Sequence, residues 1–262
     1  MLLVCDVGNT NTVVGLYAGN RSVGRWRLAT DPHWTADEVR LTVRSLLADV
    51  GADPAGIEGA AAASVVPALE DPLRRGLEAL LVERPVRFLT AETAPVRLDV
   101  DTPQAIGADR IANCIAGFAR YGGPLLVIDF GTAVTFDLVG ADGAFLGGAI
   151  TPEMQTAAGA LFENAAQLRP IPLCVPSSVI GKTTADCIRS GVVFGHLDLV
   201  RGLIRRFRSE VAADLRAVAT GGRGEFYRRE IDEIEAYEPA LTLEGLRVAW
   251  AHWSSAHRGG PR

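Results

Sequence analysis

The residues best suited to chemistry sit in two short turns. Asp6-Val7-Gly8-Asn9-Thr10-Asn11-Thr12-Val13 follows an apolar run, and so does Asp129-Phe130-Gly131-Thr132. In such a turn a glycine lets backbone amides approach a phosphate closely, and Asn or Thr side chains add amide and hydroxyl donors. A carboxylate at the strand end, here Asp6, can hold a metal ion directly or through its waters. A lone Asp-x-Gly turn is most often a plain hairpin. Here the pattern occurs twice. Leu2-Leu3-Val4-Cys5-Asp6-Val7-Gly8 aligns with Leu125-Leu126-Val127-Ile128-Asp129-Phe130-Gly131 at a constant offset of 123 residues, which also puts Thr12 on Thr135 and Gly24 on Gly147. An internal repeat of this kind favours phosphate binding over the plain hairpin. Two loops bracketing a triphosphate would neutralise and position it, which is most of what phosphoryl transfer asks of a protein. Neither loop is a Walker A sequence, and no G-x-G-x-x-G follows a strand, so P-loop and Rossmann readings are weak.

A third candidate is Gly107-Ala108-Asp109-Arg110. An alcohol is a poor nucleophile, and a carboxylate such as Asp109 can accept its proton as the bond to phosphorus forms. Arg110 could pair with a substrate carboxylate or with phosphate oxygens. Taken alone, the same four residues read as an ordinary first turn of a helix. Thr220-Gly221-Gly222 would let an adenosine lie against bare backbone, and alone it reads as a strand-to-helix turn.

The elements that must position these residues form two matching halves. Each opens with a three-stranded meander, after which helices are expected near 35–50, 67–81, 156–166, 184–208 and 243–253, and strands near 59–65, 86–89 and 217–219. Strands alternating with helices after an antiparallel start indicate an α/β fold of two duplicated lobes, each a mixed sheet flanked by helices, with a cleft between. The expected division is 1–116 and 117–255, with 256–262 as a disordered Gly-, Pro- and Arg-rich tail. The apolar positions of the 185–207 helix are broader than one core-facing stripe, which fits either full burial or an interface.

Composition narrows the function classes. The chain has 262 residues, 48% of them hydrophobic, 22% charged, and a net charge of −5 without a basic block. That is an ordinary globular composition, and it argues against a nucleic-acid partner. Four cysteines, none in a C-x-x-C pair, read as buried free thiols of a reducing compartment. The apolar start meets Asp6 too soon for a signal peptide, and no stretch is long enough to span a bilayer, so a cytoplasmic protein without a membrane partner is expected.

With these residues in view, the chain resembles the type III pantothenate kinases. The resemblance covers nearly the whole sequence: Asp6 to Thr10, Ser64-Val65-Val66-Pro67, Gly107 to Arg110, Asp129 to Ala133, Gly147-Gly148-Ala149-Ile150, Gly181-Lys182-Thr183-Thr184, Thr220-Gly221-Gly222 and Leu241 to Leu246. It implies duplicated ribonuclease-H-like, actin-like lobes and transfer of the ATP γ-phosphate to pantothenate, the first step towards coenzyme A. It also implies a homodimer that uses magnesium and a monovalent cation, potassium or ammonium. By similarity, Asp6, Val7, Gly8, Asn9, Thr10, Asn11, Thr12, Val13 and Thr132 would contact ATP, with Asp6 also serving magnesium. Asp129 would hold potassium, and Val100, Gly107, Ala108, Asp109, Arg110 and Thr184 would contact pantothenate, Asp109 being the proton acceptor. The chain departs from the family's usual residues at Val100, Glu153 and Arg189. Two other readings remain: a non-catalytic accessory factor for transcription, and a kinase for another small hydroxylated acid.

Overall fold

The computed structural model describes residues 1–165 and 167–258. In the first sheet β1 (Leu2–Val7) lies antiparallel to β2 (Asn11–Ala18), which pairs with β3 (Arg21–Ala29). On its other side β1 runs parallel to β4 (Gly59–Ser64), and β4 runs parallel to β5 (Val86–Phe88). The second sheet repeats this plan with β6 (Leu125–Phe130), β7 (Ala133–Val139), β8 (Phe145–Pro152), β9 (Arg216–Thr220) and β10 (Ala236–Tyr237). Its order is β8-β7-β6-β9-β10 against β3-β2-β1-β4-β5 in the first. The expected duplication therefore extends to the whole strand order. The short β10 was not anticipated, nor was the helix α6 (Gly224–Glu230) that precedes it.

Helices cover both faces of the first sheet. Alternation along β1 sends Leu3, Cys5 and Val7 into a core with α1 (Ala36–Asp49) and α2 (Pro67–Leu81), through residues such as Val39, Val43, Leu73 and Leu77. Leu2 and Val4 point the other way, into a core with Ile111, Ala112 and Ile115 of α3 (Ala108–Tyr121) and Leu243, Leu246 and Trp250 of α7 (Leu241–Arg258). Burial on both faces explains why β1 and β6 read as apolar runs up to Asp6 and Asp129. Thr35 starts α1 with a capping box: Glu38 N donates to Thr35 Oγ1, and Thr35 N donates to a Glu38 carboxylate oxygen.

The second sheet packs Leu126, Ile128 and Phe130 against Val193, Leu197, Val200 and Ile204 of α5 (Thr184–Glu210). The broad stripe of that helix is thus core-facing, with Leu199 left outside at 38% exposure. A shorter helix, α4 (Met154–Asn164), follows β8.

Two compact units result. The first is Met1–Gly122 with Gly143–Leu146 and the described residues from Ala240 to Arg258; the second is Gly123–Asp142 with Gly147–Pro239. The division expected at 116/117 differs because α3 continues to Tyr121 and because α7 returns to the first unit. Gly245 makes that return intimate, since a Cβ there would come within 1.9 Å of Ala112 O. Thr242 adds a hydrogen bond from Oγ1 to Asn113 Oδ1 at 2.8 Å. The helix also runs through 256–258, so those residues are not the expected tail, and 259–262 lie outside the described residues. Cys5 and Cys114 are buried as expected, but Cys174 and Cys187 are exposed, because 174 falls in an irregular segment and 187 on the outer side of α5. Among the described residues no helix is long and apolar enough to cross a membrane.

Candidate functional site

The first unit carries two of the three candidate segments. After β1 the chain turns sharply: Gly8 N donates to Asn11 O at 3.0 Å, and a Cβ on Gly8 would lie 3.1 Å from that same oxygen. Asn9 and Thr10 are exposed at the tip, while Asn11 and Val13 are half-buried on β2. Thr12 is 2% exposed and its Oγ1 lies 2.9 Å from Thr30 Oγ1. Because the Thr30 hydroxyl donates to Gly8 O at 2.7 Å, the proton between the two threonines comes from Thr12. Thr12 therefore braces the loop from below, and Asn9 and Thr10 are the residues exposed at its tip. Thr30 escaped the sequence reading; its signal was its place opposite the loop just past the third strand, where its amide also donates to Thr10 O at 3.0 Å.

Asp6, one residue before the end of β1, is half-buried, and strand alternation places it on the side of the sheet covered by α3. Asp109 lies in the first turn of that helix, with Gly107 as its N-cap. Its Oδ1 accepts from Arg110 N at 2.8 Å. Burial raises its pKa above the ordinary 3.8, against the opposing pull of that hydrogen bond and of the Arg110 charge. Gly107 gives the carboxylate its room, for a Cβ would fall 2.5 Å from Asp109 Oδ1. Ala108 is buried, and Arg110 lies over the Phe145 ring at 5.3 Å from the centroid. Phe145 also accepts at its carbonyl from Asp99 N at 2.8 Å, which brings the segment carrying half-buried Val100 to the same neighbourhood. Val100, Gly107, Ala108, Asp109 and Arg110 are thus gathered in one unit, joined by a residue that no sequence motif marked.

The second unit carries Asp129, Thr132 and Thr184. Gly131 N donates to Ala133 O at 3.1 Å, and Thr132 is exposed with its carbonyl accepting from Thr156 Oγ1 at 3.1 Å. Asp129 is half-buried beneath Gly221, whose φ of +85° and lack of a side chain are both required. A Cβ there would lie 2.4 Å from Asp129 Oδ1 and 2.6 Å from Phe130 O. Thr184 is the exposed first residue of α5, which Thr183 caps by accepting from Asp186 N.

The donor set suits a nucleotide with its cation better than a protein-only metal cage. Among the described residues no three His, Cys, Asp or Glu side chains gather to hold an ion. A magnesium ion asks for less, one or two carboxylates together with phosphate oxygens and water. Asp6, half-buried near the end of a central strand beside a glycine turn, fits that demand. Cys5 is no candidate nucleophile, since burial and the neighbouring Asp6 push its thiol up to about 12.

Comparison with known proteins gives a consistent picture. Residues 2–206 match the family described as Type III pantothenate kinase. A curated Type III pantothenate kinase of Roseiflexus sp. (strain RS-1) is 43% identical over 250 residues, covering 95% of this chain and 98% of its own. Among solved structures, a protein from Campylobacter jejuni assigned to a Baf family of transcriptional activators superposes with a TM-score of 0.62 at 19% identity, covering 97% of this chain and 99% of its own. A protein from Listeria monocytogenes assigned as an N-acetylmannosamine kinase superposes with a TM-score of 0.56 at 13% identity, covering 98% and 99%. At such identities the structural likeness establishes the fold alone, the actin-like class of duplicated α/β units.

Proposed function

The chain belongs to the type III pantothenate kinase family, and from that premise we propose how its residues carry out the reaction. The enzyme phosphorylates pantothenate with ATP to give 4′-phosphopantothenate, the opening step of coenzyme A synthesis. The observation that carries the mechanism is Asp109, a carboxylate of raised pKa at the start of α3 with Gly107 clearing its flank. A carboxylate made more basic by burial is a better proton acceptor near neutral pH. Asp109 accepts the proton of the pantothenate primary hydroxyl as that oxygen bonds to the γ-phosphorus and the bond to the ADP oxygen breaks. Arg110 pairs with the pantothenate carboxylate, and Val100, Ala108 and Thr184 line the acceptor.

On the nucleotide side, the amides of Gly8, Asn9 and Thr10, with the side chains of Asn9, Thr10 and Asn11, donate to phosphate oxygens. Val7, Thr12 and Val13 hold that loop in shape, and Thr132 adds a donor from the second unit. Asp6 would hold magnesium, which supplies charge neutralisation on the phosphates. Asp129 would hold a monovalent cation, potassium or ammonium. We also propose a cytoplasmic homodimer; the exposure of Ile150 at 62%, Val179 at 69% and Ile180 at 73% on the second unit supports a covered apolar face. Light scattering of the purified chain checks this, with a monomer overturning it.

The test of function is ADP release with ATP, magnesium and pantothenate, in potassium and again in sodium alone. Pantothenate-dependent turnover that rises with potassium is the expected result. No turnover in either salt, from folded protein, would favour the regulatory reading or another hydroxylated acid as acceptor.

A further inference from the structure

The second unit holds a buried charge that no step above uses. Glu153 caps α4 and is 4% exposed. Its Oε2 accepts from Gln155 N at 2.7 Å. Its Oε1 lies 3.2 Å from Arg223 Nε, yet the N–H is not aimed along that line, so the contact is an ion pair and the oxygen has no hydrogen-bond donor among the described residues. A buried carboxylate oxygen left in this way is unfavourable for stability. Its position suggests another use.

Arg223 directly follows Thr220-Gly221-Gly222, and its side chain is 36% exposed. Three residues beyond Glu153, Thr156 donates to Thr132 O in the phosphate turn. One helical turn thus touches both the turn after β9 and the turn after β6. The seat beneath is firm. His196 lies 3.0 Å from Pro152 O through Nε2, and because a carbonyl only accepts, that nitrogen carries a proton. The other nitrogen meets the Tyr227 hydroxyl at 3.0 Å, and the Tyr227 ring stacks on Phe130 at 4.0 Å between centroids. Burial, and after it the Glu153 charge, raises the Tyr227 phenol, so the carboxylate acts electrostatically on this seat.

We infer that Glu153 is a positioning residue for the nucleoside: through Arg223 it fixes the 220–223 turn relative to the Thr132 turn, so that the adenosine and the phosphates of ATP are held in register. This rests on the reading that the 220–223 turn abuts the adenosine. Glu153→Gln keeps an acceptor for Gln155 N and removes the charge. The probes are ATP and inorganic tripolyphosphate, which lacks the nucleoside, with binding measured by calorimetry. Glu153→Gln and Arg223→Ala are each expected to weaken ATP binding about tenfold, the double variant no further, with tripolyphosphate binding and the KM for pantothenate unchanged. Arg223→Lys should recover most of the loss. Equal weakening of ATP and tripolyphosphate, accompanied by a lower Tm, would mean a structural role and overturns the inference. Hydrogen exchange on the wild type separates the two levels. If ATP fails to slow exchange at residues 220–224, the adenosine reading falls and the inference with it. If ATP does slow it while both single variants bind ATP normally, the inference alone falls.

Discussion

The turns after β1 and after β6 open alike and close differently. Each leaves a buried central strand through an aspartate, one intervening residue and a glycine. In the first, Val7 pairs with Thr12 across the hairpin; in the second, Phe130 pairs with Val134, so the second loop is one residue shorter. The first is braced by its own sheet, through Thr12 and Thr30. The second is braced from α4 by Thr156 and roofed by Gly221 over Asp129. The duplicated scaffold keeps the strand, the carboxylate and the glycine, while the closure sets what each loop offers: a donor-rich tip in one unit, a confined carboxylate in the other.

That division of labour can be broken experimentally. The largest effect is expected from Asp109→Asn, which should lower kcat by about 10²–10⁴-fold, the range for a general base, with ATP affinity preserved in a binding assay. Loss of ATP binding in that variant would show that Asp109 serves the nucleotide rather than the acceptor. Asp129→Asn should instead remove the difference between potassium and sodium in steady-state assays. Next in size, Gly221→Ala should cost roughly 1–3 kcal/mol in denaturant unfolding, from the positive φ and the clash with Asp129. Gly131→Ala, whose added Cβ would find nothing closer than 3.5 Å, should stay within about 1 kcal/mol. Equal effects would show that the roof does not matter. Thr30→Val should remove about 1 kcal/mol and raise the KM for ATP, and the second unit has its brace on a helix instead, so Thr156→Val is the matched control. The subtlest test is pH. Ionising Asp109 in the fold is unfavourable, so its penalty is absent below the unfolded value of 3.8 and complete above its raised folded pKa. Asp109→Asn should therefore melt higher than the wild type at neutral pH and converge with it in acid, while the acid limb of wild-type kcat lies above the usual aspartate range.

Much of this architecture was legible because β1 and β6 are apolar up to their penultimate aspartates and their repeat is explicit. The one-residue difference between the hairpins was not, because Thr12 and Thr135 match in sequence while hydrogen bonding in the turn fixes a different register. Periodicity showed that α7 has an apolar face but not which sheet receives it, and this misassigned the helix to the second half. Helix α6 and strand β10, at seven and two residues, are too short for periodicity to detect. At the site, Asp109 alone read as a helix start and needed the family resemblance. Thr30, Phe145 and the Glu153–Arg223 pair depend on contacts distant in sequence, which no local pattern encodes.

The return of α7 to the first unit has a consequence for biosynthesis. The helix bearing Asp109 is synthesised early, but the surface that seats it, around Gly245 and Thr242, leaves the ribosome more than a hundred residues later. The second unit is contiguous enough to assemble while the first still waits for α7. A nascent chain arrested before Leu241 would hold a nearly finished second unit and an unseated Asp109, so the helix that carries this carboxylate is fixed only once α7 has been made.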